Sequence, residues 1–256
     1  MINYIVRLLV SSPFYPHWIE HLKMKQGNKI VLKGIKGEVL EVGAGDGSRK
    51  AVIMNDFPGI KKYVATDYSS WDKEFDGDGA KMARYGKAAE IFMSRKKRSK
   101  LDRICSATDL PFKNGSFDTH LSFEVLEHIY DPKTYFSEAA RVVKKKGKVI
   151  FSVPFMYREH TMDYQRYTRA FITRIAEENQ LKVKLLYSNT GFGTTMAVFT
   201  NQWIVRRIIE GPIFIKPLLL LLSPALFLIS NTLGWIIDLK PDHRFATRYH
   251  VVLKKP

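Results

Sequence analysis

The sequence predicts an α/β fold, an open and mostly parallel sheet with helices packed against it, on three observations. The first is the apolar run Val39-Leu40 leading into Glu41-Val42-Gly43-Ala44-Gly45-Asp46-Gly47, which reads as a buried strand, a glycine-rich turn and the start of a helix. Glycines at alternate positions permit positive φ and leave no Cβ in the way of a ligand. The second is Lys62-Tyr63-Val64-Ala65-Thr66-Asp67-Tyr68, a β-rich run whose acid falls 24 positions after Gly43. In a βαβ unit that offset sets the acid at the carboxyl end of the second strand, within reach of ribose hydroxyls. Taken alone, an Asp there is more often a helix cap or turn former. The third is a pair of later strand candidates, Thr119-His120-Leu121-Ser122-Phe123 and Gly147-Lys148-Val149-Ile150-Phe151.

The glycine pattern is G-x-G-x-G with an acid two residues before the first glycine, not the G-x-G-x-x-G of dinucleotide sites. Downstream, in fixed order, stand Thr108 to Asp118 (TDLPFKNGSFD), Phe123 to Pro132 (FEVLEHIYDP) and Ala139 to Pro154 (AARVVKKKGKVIFSVP). Over residues 37–155 this series resembles the type 11 branch of the class I S-adenosylmethionine (SAM)-dependent methyltransferases. The resemblance implies a Rossmann-like seven-stranded sheet, mostly parallel with an antiparallel last strand, and SAM as the cofactor. It implies that Gly43, Ala44 and Gly45 pass under the methionine end of SAM, and that Glu41 orders its ammonium group through water. Asp67 then holds the ribose and Tyr68 flanks the adenine. Ser106 stands where relatives often carry an acid for the adenine amino group, which leaves that contact to Ser106 with the Ala107 backbone, or to Asp109. Phe123 and Glu124 end the fourth strand beside the methyl group. His128 reads first as a helix-face residue packing beneath the site.

Composition agrees with an intracellular enzyme of one main domain. The 256 residues suffice for one sizeable core. The single cysteine, Cys105, excludes an internal disulfide and offers no metal cluster. Tyr4 to Val10 is apolar but too short for a secretory leader. The expected organisation is a helical lid over 1–30, a methyltransferase core over 31–195, an apolar helical insertion over 196–240 and a final core strand over 241–256.

A net charge of +16 has two visible sources. Lys144-Lys145-Lys146 reads as solvated lysines at the turn before the fifth strand. Arg95 to Lys100, with Arg103, ends a longer than usual connection over 72–103, where Met82, Tyr85, Ala89 and Met93 suggest an inserted amphipathic helix. Such a basic end is either simply solvated or meets anionic lipid, phosphates or nucleic acid. Nucleic acid is the weaker option. Ser122-Phe123-Glu124-Val125 replaces the proline-proline-aromatic motif usual in enzymes acting on base amines, and no aromatic-basic binding module is recognisable.

Pro154 to Thr168 (PFMYREHTMDYQRYT) starts where the fifth strand should end, at the edge where open α/β sheets bind ligands. It packs one His, one Asp, two Arg and three Tyr into a loop too polar for a core, and Thr168 then caps a helix over Arg169 to Glu178. The string resembles a loop of methyltransferases found among glycan-assembly enzymes; its plainer reading is a brace for the strand ends. The sulfonium of SAM is already a good leaving group, so the protein must align an in-line attack and exclude water. A hydroxyl acceptor also needs a base. On this reading His160 takes the proton, Asp163 orients it, and Tyr164 and Arg166 position a sugar or lipid-linked glycan, with Glu124 and His128 in reserve.

The last third is apolar. No charge falls between Pro217 and Ile237, long enough on paper to cross a bilayer. Pro224 and the polar Ser230-Asn231-Thr232 interrupt it, and Arg248 to Lys254 looks like the final strand of the sheet. A single crossing would put that strand on the wrong side. Two short helices remain, as a buried hairpin or lying in the membrane surface with Arg206, Arg207, Lys216 and Trp235 at headgroup level. The leucine content and the basic charge favour the second, a cytoplasmic protein resting peripherally on the inner membrane face. Two rivals to the glycan reading stand: a lipid-soluble acceptor such as a quinone precursor, and a SAM-binding interaction protein without catalysis.

Overall fold

The computed structural model describes residues 11–45, 47–68, 101–159 and 163–256. His160 and almost all of the expected 72–103 helix lie outside the described residues; Arg103 opens a strand. In chain order the elements are α1 (Trp18–Val31), β1 (Gly37–Val42), α2 (Ser48–Asp56), β2 (Ile60–Asp67), β3 (Arg103–Ile104), β4 (Phe117–Phe123), a 3-10 turn (Leu126–His128), α3 (Pro132–Val142), β5 (Val143–Pro154), α4 (Arg169–Glu178), β6 (Lys182–Tyr187), α5 (Phe192–Glu210), α6 (Lys216–Ile237) and β7 (Arg248–Lys254).

Seven strands form one sheet in the order β3-β2-β1-β4-β5-β7-β6. Neighbouring strands from β3 to β5 run parallel, and the last strand runs antiparallel. The order reverses between β1 and β4, which opens a crevice at their carboxyl ends where such sheets bind ligands. Val39, Leu40, Leu121, Val149, Ile150 and Phe151 are fully buried, as central strands covered on both faces require.

The chain divides into two compact units, each described separately. The first spans 32–153, 162–185 and 251–256. Its helix α3 starts at Pro132, whose missing N–H costs nothing in a first turn. Asp131 caps it by accepting from the amides of Lys133 and Thr134. The helix then buries Tyr135, Phe136, Ala139 and Val142. Tyr135 shares a hydrogen bond with Ser122 (2.5 Å) and meets the edge of His120. Burial holds the His120 imidazole down at about 4, so it is neutral core. Thr168 caps α4 at its expected limits, accepting from the Phe171 amide (3.2 Å). One expectation needs correction: β5 begins at Val143, not Gly147, and Lys144 bridges Glu38 and Asp118 (3.0 Å each) instead of standing free in solvent.

The second unit spans 1–31, 154–161 and 186–250 and is mainly α1, α5 and α6. Ile19 of α1 packs on Ala197 and Val198 of α5. The interrupted pair of short helices expected over 213–237 is instead a single helix with Pro224 inside it. Proline cannot donate to the carbonyl four residues back, but the Ser223 hydroxyl donates to that carbonyl, Leu220 O, at 3.0 Å. The polar residues expected to break the helix are used sideways. Asn231 donates to the carbonyls of Pro13 and Tyr15 (2.7 and 2.9 Å) and accepts from Asn201 of α5 (3.0 Å).

Candidate active site

The glycine-rich turn between β1 and α2 holds Gly43, Gly45 and Gly47 at φ 71°, 59° and 69°. At Gly43 a side chain would also overlap Val125, whereas at Gly45 an added Cβ meets nothing within 4 Å among the described residues. The turn is therefore braced from below at Gly43 and, among the described residues, open at Gly45. The Ala44 amide donates to Thr66 O (2.9 Å) and the Gly45 amide to the Asp67 carboxylate (2.5 Å). The other Asp67 oxygen accepts from the Tyr68 amide (2.7 Å). This acid thus ties the end of β2 to the turn, a carboxylate at the position where a ribose diol would be held. An open glycine cradle beside a buried carboxylate fits the methionine and ribose parts of SAM.

Glu41 has a firmer role than the sequence suggested. It is fully buried, with one oxygen accepting from Arg49 (2.6 Å) and the other from Tyr63 (2.7 Å). Arg49 lies over the Phe123 ring, 5.2 Å from its centroid. Arg49 is a residue the sequence reading missed; an opposite charge eight residues after Glu41 was the available signal. Tyr68 is largely exposed. Ser106 spends its hydroxyl on the local turn, sharing a bond with Thr108 (2.8 Å) and accepting from the Thr108 amide (3.2 Å), next to the half-buried Ala107.

At the end of β4, Glu124 sits at φ 57°, an uncommon state for a side chain of this size. Ser152 fixes it from β5, accepting the Glu124 amide (3.1 Å) and donating to its carboxylate (2.7 Å). The 3-10 turn beyond carries Glu127 and His128. Here the second half of the polar loop is clipped on: the Tyr164 amide donates to Glu127 O (2.8 Å), Gln165 to Ile129 O (2.8 Å) and the Tyr167 hydroxyl to Leu126 O (2.8 Å). Tyr167 is fully buried, so the expectation of a loop too polar for a core fails at that residue. A ring that reaches a carbonyl buries without an unpaired hydroxyl.

The clip brings together Asp163, Arg166, Glu127 and His128. Asp163 lies 3.3 Å from His128 Nδ1 and 2.6 Å from the Arg166 guanidinium. Tyr164 meets the edge of Tyr130, ring centroids 5.6 Å apart, and both are exposed. Glu127 is buried, and burial, helped by the neighbouring Glu124 charge, pushes its carboxyl up to about 8. Glu127 was also missed, although Glu124 and Glu127 at i, i+3 ahead of a His were legible as one turn. The first half of the loop makes other contacts: Tyr157 donates to Glu20 (2.7 Å) and accepts from Gln202 (3.0 Å).

Comparison with known proteins agrees with this geometry. The family model described as a methyltransferase domain, of type 11, matches residues 40–151. An uncharacterised protein of Methanocaldococcus jannaschii is 44% identical over 50 residues, which are 20% of this chain and 24% of that protein; the match thus spans about a quarter of that relative. Among solved structures, geranyl diphosphate C-methyltransferase of Streptomyces coelicolor aligns at TM-score 0.52 and 13% identity, covering 94% of this chain and 81% of its own. The protein complexed with the Trm112 methyltransferase activator of Haloferax volcanii aligns at 0.51 and 17%, covering 94% and 90%. The cyclase SpnF aligns at 0.50 and 13%, covering 92% and 80%; at such identities the likeness is one of fold. Residues 40–151 of this chain match the type 11 methyltransferase domain, and the seven-stranded sheet that carries them has the fold of such enzymes, both of which support S-adenosylmethionine as the cofactor.

Proposed function

We propose that the whole chain transfers the methyl group of SAM to a hydroxyl of a sugar or lipid-linked glycan, with His128 as the general base. The observation that carries this reading is the His128–Asp163 contact of 3.3 Å just beyond the carboxyl end of β4. His128 is about one-third exposed while Asp163 is buried, so a water-facing imidazole is oriented by a fixed carboxylate. The 3.3 Å approach is not aligned as a hydrogen bond; catalytic bonds of this kind tighten when substrate binds, and with the proton on Nδ1 His128 would then donate to Asp163 and leave Nε2 to accept a proton. SAM supplies an electrophilic methyl carbon on a sulfonium. The residues of this chain seat that cofactor on the turn of Gly43, Ala44 and Gly45, hold its ribose at Asp67 and withdraw the acceptor's proton at Nε2. Arg166 fixes the other oxygen of Asp163, and Tyr164 with Tyr130 offers aromatic faces of the kind that stack on sugar rings.

His160, the partner expected for Asp163 from the sequence, lies outside the described residues; among the described residues the clip onto 126–129 sets His128 beside Asp163. His128→Ala is expected to lower kcat by roughly 10²–10⁴ with SAM affinity unchanged by titration calorimetry. Full turnover in that variant, alongside a loss in His160→Ala, would return the role to His160. The acceptor is identified by transfer of label from methyl-labelled SAM into glycan, lipid and nucleic-acid fractions. A lipid-soluble acceptor is the second reading, favoured by the exposed apolar faces of α5 and α6.

A further inference from the structure

We infer that the α5–α6 hairpin is a monotopic docking surface for an anionic lipid bilayer. The argument begins with which side of α6 is buried. Its inward residues are Ser223, Phe227, Asn231 and Gly234, with Asp238 just beyond the helix. Four of these five are small or polar, and they are occupied. Asp238 accepts from the amides of Gly191, Gly193 and Thr194 at the start of α5 (2.7, 3.0 and 2.8 Å). Asn231 and Ser230 bond to Asn201. Gly193 and Gly234 pass so closely that a Cβ on either would overlap the other's carbonyl.

The outward residues are the apolar ones: Leu218, Leu221, Leu222, Ile229, Leu233 and Ile236 are all exposed. At about 100° per residue these positions, with Trp235 and Ile237, occupy nearly all of the circumference outside the polar seam. A core helix of a water-soluble protein has the reverse pattern. A polar, small-residue seam toward protein with aliphatic side chains outward is the arrangement of helices in lipid. A second copy of the chain would cover one side of such a helix, whereas a hydrocarbon surface wets it on several.

The neighbouring helix continues the surface. Phe192, Met196, Phe199 and Trp203 are exposed along one stripe of α5. Cations stand at both ends of the uncharged stretch: Arg206, Arg207 and Lys216 at one, Lys240 and Arg244 at the other. Arg206 is paired to Glu210 (2.8 Å) and Arg244 to Asp242 (2.7 Å), so Arg207, Lys216 and Lys240 are the ones offered to an anionic surface. Arg207 lies over the Trp203 ring (5.4 Å to the centroid), a pairing suited to the headgroup level. By length and composition α6 is the one helix among the described residues able to cross a membrane. It is nevertheless tied along its side to α5, whose far end carries Arg206, Arg207 and Glu210. Burying those charges is avoided if the hairpin lies in the interface plane.

The test uses the full chain and vesicles of phosphatidylcholine with and without phosphatidylglycerol. The protein should sediment with the mixed vesicles at least tenfold more than with phosphatidylcholine alone, and raised salt should weaken but not abolish binding. In a chain with Trp18, Trp71 and Trp203 changed to Phe, Trp235 emission should shift to the blue and be quenched by bromines on the acyl chains. Leu221→Glu with Ile229→Glu, both at exposed positions, should lower partitioning at least tenfold with circular dichroism and SAM binding unchanged. Protein that stays in the supernatant at every composition, or a lipid-independent dimer that the double variant dissociates, overturns the inference. The quenching measurement reads the chain with its hairpin intact and so decides the matter even if the double variant misfolds.

Discussion

Gly43 and Glu124 both occupy the left-handed region, at φ 71° and 57°, and both lie beside Val125 at the crevice of the sheet. Only one of them is a glycine. At Gly43 the geometry requires it, because a Cβ would bear the left-handed penalty and overlap Val125. Gly43→Ala is expected to destabilise by about 1–2 kcal/mol from φ alone and to weaken SAM binding more than tenfold; calorimetric titration of Gly43→Ala and Gly43→Ala/Val125→Ala separates the overlap from the strain. At Glu124 the strain is accepted, held by two bonds to Ser152, which is how such states persist at functional positions. Glu127, next along, predicts a pH dependence. Its carboxyl is held near 8 in the fold against an ordinary value near 4.3. Between those values the native state binds more protons than the unfolded one, so this group lowers stability as pH rises and its effect is flat outside that window. Glu127→Gln should therefore raise Tm relative to the parent at pH 8–9 and narrow that gain toward pH 5, as thermal melts across buffers will show. A gain independent of pH would place the charge elsewhere.

At the scale of elements, what was legible followed from local chemistry. Thr168 capping α4, the glycine turn after β1 and the final strand at Arg248 to Lys254 are each specified by neighbouring residues, and all three stand in the structure. Continuity of α6 was not legible, because its repair is a side-chain bond: Ser223 occupies the carbonyl that Pro224 leaves. The pairing of Asp163 with His128 depends on a clip between segments far apart in sequence, which a loop's composition does not encode. The same holds for Asp238, which reads as an ordinary turn acid yet caps the start of α5 from the end of α6. That cap yields a prediction. Asp238 is buried, and three backbone amides donate to it. Removing it strands those donors, so Asp238→Ala should cost on the order of 2–4 kcal/mol in denaturant unfolding of the helices. Asp238→Asn, which keeps an acceptor oxygen, should cost less.

For the whole molecule, the residues proposed to hold the cofactor and the apolar hairpin belong to separate units of the chain. Glu41 to Asp67, Ser106, Phe123, Glu124 and the Asp163–His128 pair all fall within 32–153 and 162–185, whereas α5 and α6 fall within 186–250. This division gives two sources of stabilisation that are distinguishable by experiment. A ligand that binds only the native state stabilises by mass action, about 2.7 kcal/mol at a hundredfold excess over Kd, and its first effect is on the backbone it braces. S-adenosylhomocysteine should therefore slow amide hydrogen exchange in peptides covering 40–68 and 103–128, which hold the proposed contacts at the turn and the ends of β2 and β4. Anionic vesicles should instead slow exchange in peptides covering 192–237, where buried polar pairing already holds the hairpin but outward side chains meet water. Each protection pattern is expected without the other ligand. Exchange mass spectrometry with each ligand alone, then both, measures this directly. If the nucleoside protects 192–237 as strongly as the glycine turn, the assignment of cofactor contacts to the sheet unit fails.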